Sequence, residues 1–272
     1  MLWKPLGFIT FVMNPTQMQS FGCFLLIVLF TSSFSVTAQP KGYLYDESKV
    51  APYELPDPLV CLDGTKVTDS KAWLKKRRPE VLSLFEDEVF GRSPGKPKAM
   101  RFEVVEEGKE ALGGKAMRKQ VVIHLGKGKK ALAVNLLVYL PRKAKGPSAG
   151  FLTINFMGNH TVHADPAIRV PTSWVRNGNG VKNNKATASS RGSRASRWAI
   201  DAIIDRGYAF ATVYYGDIDP DFHDGYKNGI HPLFPPKDPK KRNPTDWASI
   251  AGWAWGLSRC LDYLETDSAV DA

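Results

Sequence analysis

The chain of 272 residues is 43% hydrophobic and 11% aromatic, a composition that allows a sizeable core and excludes wholesale disorder. Its length suits one large domain or two small ones. Lys and Arg number 37 against 27 Asp and Glu, for a formal net charge of +10. The basic clusters are scattered among predicted loops and match no nucleic-acid module, so we expect no nucleic-acid partner. An acidic polysaccharide or a plain solvated surface fits this charge better.

The first 38 residues have the pattern of an export signal. An apolar run over residues 24–30 is followed by Ser and Thr residues and by the small-residue site Val36-Thr37-Ala38. This order predicts a signal peptide cleaved near Ala38, and hence a periplasmic or secreted protein. The run is too short for a stable membrane span. Met18 is an alternative start.

Residues 39–272 contain no internal repeat or linker, which predicts a single domain and favours a monomer. Two cysteines, Cys61 and Cys260, remain after the signal. In an exported protein they could form a disulfide, but two buried free thiols fit the sequence equally well.

Hydrophobic periodicity and turn residues predict an alternating series of elements. The predicted helices cover residues 69–74, 79–90, 196–206 and 245–266, and the predicted strands cover 100–106, 115–125, 132–140, 150–156 and 208–215. Hairpins followed by two strand–loop–helix units indicate a mixed sheet that becomes parallel, with helices on both faces. The predicted fold class is therefore α/β, of the three-layer α/β-hydrolase type.

The last helix is the most clearly periodic element. Pro244 cannot continue a helix from upstream, and Thr245 or Asp246 could cap the new one. Apolar residues then recur at steps of three and four, which predicts one buried face. The residues of this predicted face are Trp247, Ile250, Ala254, Leu257, Leu261 and Leu264.

Two motifs resemble those of bacterial glucuronoyl esterases, serine hydrolases related to acetyl xylan esterases. The first is Asn155-Phe156-Met157-Gly158-Asn159-His160 after a predicted strand. The second covers residues 253–265, WAWGLSRCLDYLE, in the last helix. The resemblance implies an α/β-hydrolase fold, no cofactor, and cleavage of the ester between glucuronic acid on xylan and a lignin alcohol.

The resemblance also implies a Ser–acid–His triad whose serine follows the next strand. We therefore expect all three catalytic residues beyond residue 272, and a chain that is inactive alone. A loop after the third hydrolase strand commonly contributes an oxyanion donor and borders the substrate. The corresponding residues are Phe156, Met157, Gly158, Asn159 and His160. The alternatives are an acetyl xylan esterase of the same fold, or a non-catalytic carbohydrate-binding remnant.

Two other patterns favour ordinary structural roles. Ser258 follows a glycine as in a nucleophile turn, but it falls inside the helical pattern of residues 245–266, so we expect a packing serine. The aromatic residues Trp247, Trp253 and Trp255 of the same segment favour core packing over a sugar platform.

No metal site is expected. His160, His163 and Asp165 lack an obvious fourth zinc ligand. The acidic stretch 217–221 resembles the start of a calcium loop, but Phe222 stands where a glycine is needed and Asn228 where a bidentate Glu is needed.

Overall fold

The computed structural model describes residues 42–235 and 242–272. The predicted signal peptide lies outside these residues. The chain divides into two units, residues 1–56 and 57–272. In the described part of the first unit, the Asp46 side chain accepts a hydrogen bond from the Ser48 amide (3.1 Å) at a short 3₁₀ turn over Glu47–Lys49. Within residues 42–235 and 242–272, every helix is too short or too polar to cross a membrane.

The second unit is built on a five-stranded mixed sheet. Its strands are β1 (Met100–Ala111), β2 (Ala116–Leu125), β3 (Leu132–Pro141), β4 (Gly150–Asn155) and β7 (Ala209–Tyr214), in the order β1-β2-β3-β7-β4. The first three strands and β7 pair antiparallel, and β7 pairs parallel with β4. The five strands predicted from sequence are confirmed. A separate two-stranded hairpin, β5 (Val181–Lys182) with β6 (Lys185–Ala186), lies in the polar segment after β4.

Helices cover both faces of the sheet. Alternate strand residues point to opposite sides, and in β3 the residues on both sides are apolar and need cover. Leu136 and Val138 of β3 pack in the cluster with α5 (Ser249–Leu264), whereas Leu137 and Tyr139 pack in the cluster with α3 (Ile200–Asp205). Strand β7 is buried along its whole length. Strand β4 was expected to be buried on both faces, but it lies at the edge of the described sheet, and Phe151 is 53% exposed.

The N-terminal helical segment of this unit runs without a break, although two helices were predicted. It comprises α1 (Ser70–Ala72), a π-helical turn, α2 (Arg78–Phe85) and a second π-helical turn that Gly91 ends at φ 80°. The Asp69 side chain caps α1 by accepting from the Ala72 amide (2.7 Å). Pro79 lies in the first turn of α2, and the widened turn before it lets the helix continue through the proline.

Helix α5 confirms the predicted last helix, but the predicted buried face is confirmed only in part. Trp247, just before the helix, and Leu264 are buried as predicted. Ile250 and Leu261 are exposed, and the side facing the sheet instead carries small and aromatic residues. These buried residues are Ala251, Gly252, Trp255, Gly256, Arg259, Cys260, Tyr263 and Leu264. The glycines let the helix approach its neighbours closely, because a Cβ on Gly256 would lie 2.4 Å from Ile218 Cδ1. The predicted side-chain cap at Thr245 or Asp246 is also absent, since the helix starts after Ala248 without one.

Strand β2 carries two adjacent buried cations that point to opposite faces of the sheet. Arg118 donates to Glu106 of β1 (2.6 Å) and also to Asp165. Lys119 donates to Asp267, just after α5, at 2.6 Å. Each cation therefore ties the sheet to a different covering layer.

Both cysteines outside the predicted signal are buried and free. Of the two possibilities that the sequence left open, a disulfide or two free thiols, the structure has the two free thiols.

Candidate functional site

The loops that follow β4 and β7 meet at one edge of the sheet. These strands run parallel and end side by side, with Asn155 paired to Tyr214. In a parallel α/β sheet, the edge at the carboxyl ends of the strands is where ligands bind. The candidate loop Phe156–His160 begins here, and its shape depends on the polar residue that ends β4.

Asn155 organises the start of the candidate loop through both ends of its amide. Its Oδ1 accepts from the Gly158 backbone amide (2.9 Å), and its Nδ2 donates to Asn159 Oδ1 (2.7 Å) and Thr212 Oγ1 (3.1 Å). Asn159 in turn donates through Nδ2 to the Asn135 carbonyl of β3 (2.7 Å). The loop is therefore fixed to three strands of the sheet.

The same network extends to a buried carboxylate that the sequence analysis did not identify as a site residue. Asp217 lies in the short helix α4 (Tyr215–Ile218) and accepts from the Asn135 amide (3.0 Å), Asn135 Nδ2 (2.8 Å) and Ser173 Oγ (2.6 Å). Burial raises the pKa of Asp217, and the donated hydrogen bonds oppose that rise. Its partners lie 44 and 82 residues away along the chain, a separation that sequence spacing alone does not bridge.

Gly158 and His160 form the tight part of the loop. Gly158 has φ 102°, and a Cβ there would lie 2.8 Å from both His160 Nδ1 and Pro171 Cγ, so only glycine fits. His160 is fully buried, with Nε2 2.7 Å from Ser190 Oγ. Ser190 Oγ itself donates to the Thr187 carbonyl (2.9 Å), so His160 Nε2 is the donor of the pair. Burial, helped by Arg191, lowers the pKa of His160 to about 4.

The candidate loop thus has an inner and an outer part. Gly158, Asn159 and His160 are buried, and the Gly158 amide already donates to a side chain. Phe156 is 53% exposed and Met157 is partly exposed. The Phe156 ring lies 5.1 Å from the ring of Tyr215 and 6.0 Å from that of Trp253, between ring centroids. This aromatic group gives the sheet edge an apolar surface beside the end of β4.

Ser258 and two of the three tryptophans have the structural roles predicted from sequence. Ser258 lies within α5, and its Oγ donates to the Ala254 carbonyl (3.2 Å), so its prediction as a helix serine is confirmed. Trp247 and Trp255 are buried in the core, as predicted, whereas Trp253 is only partly buried.

The histidines and acids of the two metal-like patterns contact other protein groups. His163 Nδ1 accepts from the Asp165 amide (3.1 Å), and the Asp165 carboxylate pairs with Arg118. In the acidic stretch, Asp219 contacts His231 (3.2 Å) and Asp221 contacts Arg176 (2.8 Å). Within the described ranges, His, Cys, Asp and Glu side chains form no group of three suited to holding a metal ion.

Comparisons with known proteins and solved structures find similar proteins. No protein-family model matches the chain. Carbohydrate esterase MZ0003, from an unknown prokaryotic organism, is 46% identical over 256 residues, which are 92% of this chain and 59% of that protein. A glucuronoyl esterase from Solibacter usitatus is 45% identical, with a TM-score of 0.75 over 83% of this chain and 57% of that one. A promiscuous CE15 esterase from a marine bacterial metagenome is 47% identical, with a TM-score of 0.74 over 85% of this chain and 57% of that one.

These matches show which class of protein the chain resembles. The chain is similar to carbohydrate esterases, and the predicted α/β-hydrolase fold is confirmed. Within that class, the resemblance to the glucuronoyl esterases that the two motifs predicted is confirmed as well. The chain spans 57–59% of the length of these relatives.

Proposed function

We propose that the protein to which this chain belongs is an exported carbohydrate esterase that cleaves glucuronoyl esters of xylan–lignin complexes. The observation that carries the proposal is the 45–47% identity, over more than four fifths of the chain, to a glucuronoyl esterase and a CE15 esterase. Such a reaction uses a serine nucleophile activated by histidine and forms an acyl-enzyme. An acetyl xylan esterase of the same fold is the weaker candidate, since neither of these structures carries that name.

The part of the reaction that we assign to this chain is one wall of the substrate cleft. Phe156 presents an exposed ring at the carboxyl end of β4, beside Tyr215 and Trp253. Gly158 and Asn159 fix the loop that carries this ring through the network around Asn155, and His160 fixes it through Ser190. In this proposal Phe156 and Met157 contact substrate, and the rest of the loop supports them.

The activity test uses a polypeptide that spans the full length of the matched relatives. Its rates on a benzyl ester of glucuronic acid and on acetylated xylan are compared, with a serine-directed phosphonate as inhibitor. We expect kcat/KM for the uronate ester to exceed that for the acetyl ester by about ten-fold or more, and the phosphonate to abolish both. A preference for acetylated xylan would favour the alternative, and saccharide binding without any hydrolysis would favour a binding remnant.

The cleft assignment is tested by a matched pair of phenylalanine variants. Phe156 and Phe151 lie just beyond and within β4 and are equally exposed, at 53%. Phe156→Ala should raise KM for the benzyl ester about ten-fold, whereas Phe151→Ala should leave KM unchanged. Equal effects of the two substitutions would contradict the assignment.

A further inference from the structure

A second concave site lies in the loop between α4 and α5. This cavity of about 300 Å³ is at the lower end of the range for ligand pockets. Its walls combine aromatic rings with cationic groups. The residues that matter here are Tyr226, Lys227, His231, Phe234, Arg242 and Trp247.

The loop is held in a defined and strained shape. The Ile230 amide donates to the Ile218 carbonyl (2.9 Å), and His231 contacts Asp219 (3.2 Å), so the ends of the loop are closed. A Cβ on Gly229 would lie 2.5 Å from Asp219 Oδ1, which makes this close approach possible only for glycine. Tyr226 has φ 64°, an unfavourable value for a bulky residue. Strain of this kind concentrates at functional sites.

Contacts between rings, and between a guanidinium and a ring, order the cavity wall. The His231 ring stacks on Trp247 at 4.4 Å between centroids and 10° between planes. The Arg242 guanidinium lies 3.5 Å from the Tyr226 ring centroid, and it also donates to the Trp247 carbonyl. A guanidinium carries five N–H donors in a planar fork that matches a carboxylate. Among the described residues that line the cavity, Asp246 is the one acid, and it already accepts from the Asn243 amide (2.8 Å).

We propose that this cavity binds a carboxylated sugar, with the carboxylate at Arg242 and Lys227 and the pyranose ring against the aromatic wall. A carboxylate matches the cationic groups of Arg242 and Lys227, and the partly exposed rings of Tyr226 and Phe234 match the carbon skeleton of a sugar ring. The choice of a carboxylated sugar rests on the proposed function. The site would bind an acidic branch of the polysaccharide substrate.

The test measures binding of D-glucuronate and a xylo-oligosaccharide to the purified chain by titration calorimetry. We expect one glucuronate site, no comparable heat from the neutral sugar, and no displacement of glucuronate by an equal concentration of acetate. Arg242→Gln and Lys227→Gln should each weaken glucuronate binding about ten-fold, and Tyr226→Ala should weaken it similarly. Tyr226→Phe should preserve it.

The control variant is Lys143→Gln, which removes a cation from a cavity of about 310 Å³ that has no aromatic wall. It should leave the affinity unchanged. Circular dichroism checks the fold of each variant, and Lys227, on the exposed loop, gives the decisive result if Arg242→Gln fails to fold. Equal binding of glucuronate and acetate, equal binding of the neutral sugar, or unchanged affinity in Lys227→Gln would overturn the proposal. Absence of esterase activity in the polypeptide that spans the full length of the relatives, with glucuronate binding intact in the purified chain, would overturn the proposed function alone.

Discussion

His160 shows how one buried side chain makes the candidate loop sensitive to acid. Burial lowers its pKa from 6.5 to about 4, because the charged ring would lose water without gaining a partner. Its Nδ1 is buried without a hydrogen-bond partner in the described part of the chain. The neutral ring is therefore the form that the folded loop accommodates.

This shift predicts a pH dependence of stability. The unfolded chain binds a proton at His160 below pH 6.5, whereas the folded chain resists it until about pH 4. The contribution of neutral His160 is thus complete above pH 6.5 and falls as the pH drops towards 4, by on the order of 2 kcal/mol at pH 5. Urea unfolding of wild type and His160→Gln at pH 7, 6 and 5 measures it. The two free energies should converge as the pH falls, and parallel curves would contradict the assignment.

At the scale of the element, helix α5 depends on how closely it approaches α4 and the loop after it. A Cβ on Gly256 would lie 2.4 Å from Ile218 Cδ1, but one on Gly252 would lie 3.4 Å from the Trp247 ring and 3.5 Å from Ile230. Two glycines one turn apart in the same helix therefore differ in the space beside them.

The pair gives a direct test of this packing. Gly256→Ala should reduce the free energy of unfolding by about 1–3 kcal/mol, because the methyl group overpacks the contact with Ile218. Gly252→Ala should be neutral or stabilising by up to about 1 kcal/mol, because alanine favours the helix. Both values come from urea denaturation at pH 7. A loss of similar size in both variants would show that the helix tolerates no added methyl at all.

The same helix shows what sequence could and could not predict. Its place in the chain was correct because Pro244 and the apolar periodicity are local signals. Its buried face was wrong at Ile250 and Leu261, because both outweigh Gly256 on any hydrophobic scale, whereas close packing selects for small residues. The candidate loop was predicted from a family motif that follows an apolar strand, but its support by Asp217 depends on contacts between distant segments.

At the scale of the whole molecule, the ion pair of Lys119 with Asp267 joins the sheet to the end of α5. Both side chains are nearly buried, at 8% and 5% exposure. Burial alone would raise the pKa of Asp267, but hydrogen bonds from Lys119 and the Ala269 amide hold it below its ordinary value. The Asp267 carboxylate therefore remains charged at neutral pH, and Lys119 stabilises this charged form.

Removing one partner should be costly. Lys119→Met leaves a buried charge without its cation and should reduce the free energy of unfolding by about 3–5 kcal/mol. Asp267→Asn in the Lys119→Met background should recover part of that loss, since it removes the charge. Chemical denaturation of the single and double variants gives the coupling energy. A double variant as unstable as the sum of the two single variants would mean that the pair is not coupled.

The adjacent positions of Arg118 and Lys119 on β2 favour one pairing register of this strand during folding. Successive strand residues face opposite sides, so sliding β2 by a single position would exchange the two cations between layers. Arg118 would then face the end of α5, and Lys119 would face the segment that holds Asp165, so each cation would leave its native acid. A misaligned hairpin therefore loses an ion pair on both surfaces of the sheet at once, and the native alignment of the first three strands is the one that pairs Arg118 with Asp165 and Lys119 with Asp267.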